Sequence, residues 1–401
     1  MMEQKNQIFT KRFIALFTVN ITVFVVFYAL ITTLPLYVTE VLEGTEDAAG
    51  ILVTAFLITA IVVRPFSGKL LERYGKKRML IISIAFYLVS SVLYMFLKPF
   101  ALLVVLRMFQ GIWFSILTTA SGAIAADIIP PHRRGTGLGY FTMSTSLAVV
   151  LGPFIALFII QSYSYDVLFL LLSVFALIGA LCALSVENEG LGEPNKAAKL
   201  SFRWHDLFEM KAMPIAIFAL FVAISYSSVL SFISLYAAEK HLLDAASYFY
   251  IVFAIAMLSV RPFTGALFDR FGSKVVILPA FFVFGLGLFV MAMVDSTWML
   301  LLAGGIIGVG FGTLSTSLQT EAVKNALKER TAYATATYFT LFDLGIAVGS
   351  YLFGLLVMQF SYSYIYVVSG AIIVMLFVAF IVYTKKQKVQ SEEQLHTKTS
   401  A

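Results

Sequence analysis

The chain reads as apolar runs of about 20 residues parted by short polar stretches, and a run of that length crosses a ~30 Å hydrocarbon core as one helix. In order, the runs predict spans near 13–38, 48–70, 79–97, 100–126, 135–160 and 165–186, then near 213–237, 246–268, 275–294, 298–321, 331–358 and 362–384. That makes six and six. The first span follows Lys11 and Arg12 as a signal peptide would, but it is too long and has no small-residue cleavage site, so it is read as a retained helix. Two domains are therefore expected, at 1–186 and 212–384, joined by a polar cytoplasmic linker at 187–211 and followed by a disordered tail at 385–401. Within the linker, Leu200, Trp204, Leu207 and Phe208 share one helical face, which predicts a short helix lying at the membrane surface.

The two sets of spans repeat one plan. RPFSGKLLERYGKK, Arg64 to Lys77, returns 197 residues later as RPFTGALFDRFGSK, Arg261 to Lys274, with eight of fourteen positions identical. Composition fits an all-α integral membrane protein: 60% of residues are hydrophobic, 12% are charged, and mean hydropathy is +0.92, where a soluble domain is about a quarter charged. Lys98 and Lys240 are the basic residues of one side, and Arg64, Arg107 and Arg261 lie within spans. The rest of the 28 lysines and arginines fall on the other side, which places both termini in the cytoplasm of a cell-membrane protein. The net charge of +6 is thus a topology signal and does not call for nucleic acid.

Candidate chemistry is sparse. The lone Cys182 lies in an apolar run, and the histidines at positions 132, 205, 241 and 396 are far apart, so no metal site is expected. No phosphate-binding loop is present; GGIIGVGFG instead sets Gly304, Gly308 and Gly312 four apart, as close helix packing in a membrane requires. The chain is expected to be no enzyme, to use no cofactor and to bind no nucleotide. Ionisable groups inside the spans remain, and these are expensive there. Asp343 is the one acid placed deep in a span, about 18 Å along its helix, where burial opposes ionisation. It is a candidate proton carrier or a structural carboxylate. Arg107, about 10 Å below the outer face, could bind an anionic substrate, pair with a carboxylate or snorkel outward. Arg64 and Arg261 sit near helix ends, where snorkelling is easy.

These residues resemble the Major Facilitator Superfamily of transporters. Gly68, Arg73, Gly75 and Lys76 match its signature loop between the second and third helices; Glu72 stands where aspartate is usual, and the second copy carries Asp269, Arg270 and Gly272. Leu103, Arg107, Gln110 and Gly111 fit the family's fourth-helix motif. Gly139, Gly152 and Pro153 fit the fifth-helix motif of drug and metabolite antiporters, although Ala148, Ala156 and Leu157 replace its other glycines. The resemblance implies twelve transmembrane helices in two pseudo-symmetric six-helix bundles around a cavity, with the substrate exposed alternately to each side. Asn20, Tyr28, Gln110, Trp113, Tyr226 and Gln319 would line that cavity. So few polar anchors suit a hydrophobic or amphipathic compound better than a sugar. Proton-coupled export by a monomer is expected, with Asp343 and Arg107 coupling the proton. The alternatives are a symporter or uniporter importing a metabolite such as a sugar, and a non-transporting receptor or subunit. By the symmetry of the repeat, Glu72 should meet the start of the eleventh span near Thr331, and Asp269 the start of the fifth near Thr136. Gly68, Glu72, Arg73, Gly75, Asp269, Arg270 and Gly272 would then form a cytoplasmic gate.

Overall fold

The computed structural model describes residues 8–43, 46–188, 191 and 207–399. Among them are twelve long helices and no strand. The first six are α1 (Lys11–Glu40), α2 (Glu46–Tyr74), α3 (Lys76–Leu93), α4 (Phe100–Ile128), α5 (Arg134–Ser162) and α6 (Tyr165–Leu184). The second six are α7 (Met213–Glu239), α8 (Leu243–Phe271), α9 (Ser273–Ala292), α10 (Thr297–Lys324), α11 (Thr331–Val357) and α12 (Tyr362–Thr399). Short 3₁₀ turns, Pro131–Arg133 and Lys328–Arg330, lead into α5 and α11. Eleven of the described helices are long and apolar enough to cross a membrane; α3, with 18 residues opening on Lys76, Lys77 and Arg78, is the other long one.

Several helices overrun their apolar spans at the basic end: α2 reaches Tyr74, α8 Phe271 and α10 Lys324. A helix does not stop at the hydrocarbon edge, because its last carbonyls are best satisfied where polar groups and water can reach them. The expected disordered tail is corrected in the same way. Helix α12 continues to Thr399, through a segment that contains neither glycine nor proline, and extending an existing helix carries no nucleation cost. Of the four residues on the face of the predicted surface helix in the linker, Leu207 and Phe208 fall within the described residues, and both are buried.

The sequence repeat is also a structural one. Gly75 (φ 91°) and Gly272 (φ 86°) each turn the chain sharply between two helices, at a φ that a side chain would strain. A Cβ on Gly111 of α4 would stand 2.5 Å from the carbonyl oxygen of Phe56 on α2; one on Gly308 of α10 would stand 2.5 Å from that of Phe253 on α8. Both residue pairs are again 197 apart. Gly304 and Gly312 seat Phe249 and Met257 on the same face of α10, so the glycine run packs helices as its spacing predicts.

The chain divides into two compact units. The first holds α1 to α6, the opening of α7, and Gln319–Leu341, which comprises the end of α10 and the beginning of α11. Within it α1 packs on α5 and α6, α2 on α4, and α3 on α4 and α6. The second unit holds Ile217–Leu318 and the chain from Phe342 onward. Within it α9 packs on α8 and α12, while Gly345 and Gly349 bring α11 against α7.

Candidate functional site

Polar side chains of the first unit gather in two places. The first is where α11 begins. Lys76 opens α3 and Asp127 ends α4, and they pair at 2.5 Å with side chains only 8% and 2% exposed. Thr331, the first residue of α11, donates to Asp127 Oδ1 at 2.8 Å and accepts from Lys76 Nζ at 2.7 Å. Two residues on, the Tyr333 hydroxyl donates to the Glu72 carboxylate at the end of α2. Gly68, one turn before Glu72, lets α2 lie against this tyrosine, since a Cβ there would come within 3.0 Å of Tyr333 Cα. Arg330 stacks on Tyr333 at 4.4 Å and pairs with Glu209, at the end of the linker. The Glu209 amide in turn donates to Thr337 Oγ1 at 2.9 Å. Together α2, α3, α4 and the linker hold the first two turns of α11 in a clasp.

Of the signature residues, Gly68 and Glu72 enter this clasp directly, and Gly75 shapes the turn that presents Lys76 to it. Arg73 instead stands over the ring of its neighbour Tyr74, as Arg270 does over Phe271. Arg64 is buried, not snorkelled, with its guanidinium 5.1 Å from the Phe339 ring. Asp127, Glu209 and Arg330 escaped the sequence reading because each lies at the edge of an apolar run, where a charge reads as loop. The one signal was Asp127 itself, a lone acid still in register with the apolar α4.

The second place is Arg107, in the second turn of α4 and 0% exposed. Its Nε donates to the Leu52 carbonyl at 3.3 Å and its Nη1 to Gln110 Oε1 at 3.0 Å, and its guanidinium lies 4.4 Å from the Phe56 ring. Gln110 Oε1 also accepts from the Tyr94 hydroxyl at 3.0 Å. The structure therefore brings Arg107 and Gln110 together, and the other cavity candidates make contacts of their own. Asn20 bonds Ser144 and Thr145 of α5. Tyr28 packs on Phe24 and Phe27 within α1, and Trp113 stacks on Phe86 of α3. Gln319 reaches toward Gly122 of α4. In the second unit Tyr226 stacks on Phe311 at 3.7 Å, and Asp343 lies half-buried at the middle of α11. No cluster of three or more histidine, cysteine or acidic residues suited to a metal occurs among the described residues.

The family model of the Major Facilitator Superfamily matches residues 16–350, with a second match over 243–400. The chain belongs to the Major Facilitator Superfamily. Membership makes it a multi-pass membrane transporter, which takes a small-molecule substrate and works within a lipid bilayer. It is similar to an uncharacterized MFS-type transporter of Methanocaldococcus jannaschii, 25% identical over 79% of this chain and 84% of that protein. It is also similar to the quinolone resistance protein NorA of Staphylococcus aureus, at 22% identity over 85% of this chain and 89% of NorA. Multidrug resistance protein 1 of Bacillus subtilis is 31% identical over 40% of this chain and 42% of its own length. Among solved structures, the human organic anion transporter MFSD10 superposes with a TM-score of 0.79, covering 92% of this chain and 98% of that one at 14% identity. That likeness is one of fold.

Proposed function

We propose that this transporter exports a hydrophobic or amphipathic organic molecule across the cell membrane in exchange for protons, acting as a monomer with both termini in the cytoplasm. It alters no covalent bond of its substrate. Similarity to NorA and to Multidrug resistance protein 1 supports export.

One observation carries the coupling. Helices α5 and α11 are copies of each other, starting 197 residues apart at Arg134 and Thr331, and the position matching Asp343 is Ser146. The fold is therefore satisfied by a serine there, and the carboxylate answers to another demand. An acid in a span is costly, and protonation removes the cost. A proton acts on the transport cycle only through its different affinity for the two states. Asp343 supplies that difference by binding the proton in the outward-facing state and releasing it in the inward-facing one. The clasp on α11 opens and closes the cytoplasmic end as the cycle turns.

The test uses the full chain in liposomes with an imposed pH difference and a panel of fluorescent amphipathic dyes. Asp343→Asn should abolish uphill accumulation and leave downhill exchange. If the substituted protein still concentrates dye at the expense of the pH difference, Asp343 is not the carrier.

A further inference from the structure

Arg107 is a buried cation without a counter-charge among the described residues. No carboxylate there pairs with it, and the groups around it, the Leu52 carbonyl, the Gln110 amide, the Tyr94 hydroxyl and the Phe56 ring, are neutral. Its Nη2 has no hydrogen-bond partner among the described residues, nor has the adjacent Gln110 Nε2, and both atoms are buried. A guanidinium taken out of water in this way is among the most costly groups a protein can hold, and neutral acceptors return only part of the cost. The fold does not ask for it. The residue 197 positions later is Gly304, and the ring of Phe249, counterpart of Leu52, fills that space. Arg107 also borders a wall of rings: Phe56 lies 5.2 Å from Phe27 and 5.1 Å from Phe114, which lies 5.3 Å from Phe24.

We infer that Arg107 and Gln110 form an anion subsite and that the substrate is an aromatic or amphipathic monoanion. This rests on the transport reading above. The two leftover donors, Arg107 Nη2 and Gln110 Nε2, are the complement of a carboxylate's two oxygens, and a charge-assisted pair of this kind is strong where water is excluded. One guanidinium neutralises one negative charge, and the rings beyond it take the apolar body. Because Arg107 is 0% exposed in this conformation, the anion enters as α1, α2 and α4 part, so occupancy follows the transport cycle.

The experiment is a titration of the full-length protein in lipid nanodiscs with 2-naphthoate, its neutral isostere 2-naphthamide, and chloride, read by calorimetry and thermal unfolding. Naphthoate should bind saturably and at least tenfold tighter than naphthamide, and chloride should not match it. Arg107→Gln should erase that preference. Gln110→Glu places a carboxylate beside the guanidinium, so it should stabilise the empty protein and abolish naphthoate binding; it decides the matter if Arg107→Gln does not fold. Equal binding of naphthoate and naphthamide, or naphthoate binding untouched by Gln110→Glu, overturns the inference. Chloride matching naphthoate overturns the substrate assignment and makes the site one for an inorganic counter-ion. A protein that drives dyes by pH but shows no naphthoate preference loses the anion subsite and keeps the transport reading. One that binds naphthoate selectively but moves no compound does the reverse.

Discussion

Lys76 and Asp127 are almost wholly removed from solvent, and each depends on the other for its charge to be tolerated there. Removing one partner of a buried pair leaves an unpaired charge, at a cost of about 3–5 kcal/mol, whereas removing both can be far milder. Asp127→Ala and Lys76→Ala should each lower the unfolding midpoint strongly, and the double variant should lose less than the two losses added together, as a denaturation cycle in detergent will read. Additive losses would mean that the pair is not coupled. The same residues mark the reach of sequence reasoning. Symmetry of the repeat directs Glu72 to the start of α11 near Thr331; the structure gives it the Tyr333 hydroxyl, two residues on, and assigns Thr331 to Asp127 and Lys76. The helix was legible because the repeat is strict, but the partner was not. Which hydroxyl a carboxylate finds depends on the rotation of α11 about its axis, and hydropathy carries no such phase.

The twelve helices were legible for a simple reason: the hydrocarbon thickness prints itself on the sequence as apolar run length. Their ends were not, because the turns beyond the membrane are polar helix and read as loop, most visibly in α12. The same blindness hid the end of the linker, where Glu209 and Phe208 attach to Arg330 through the carboxylate and a backbone carbonyl at 3.4 Å. Arg330→Ala removes both attachments while leaving the apolar helices untouched. Cleavage by trypsin after Lys211 should then become several-fold faster in the folded protein, since local opening sets access to that bond. Unchanged cleavage would show that burial of Leu207 and Phe208, with the bond from the Glu209 amide to Thr337, secures the segment without Arg330.

For the molecule as a whole, the clasp proposed to open and close in the cycle can be held open by its own packing. A Cβ on Gly68 would come within 3.0 Å of Tyr333 Cα, so a larger side chain there must push α2 and α11 apart at this end. Gly68→Leu should therefore slow uphill transport in liposomes several-fold. Transport by the Gly68→Leu protein at the unsubstituted rate would remove the clasp from the cycle.

The first unit is closed by Gln319–Leu341, residues that follow α6 by well over a hundred positions. Synthesis runs at ~5–20 residues per second, so on the order of ten to thirty seconds separate α6 from the segment that caps its bundle. Throughout that interval Lys76 and Asp127 wait without Thr331, and Glu72 without Tyr333. A ribosome stalled between the two points holds a bundle with its charged end uncovered, so the first half of this transporter is made early and completed only when the eleventh helix emerges.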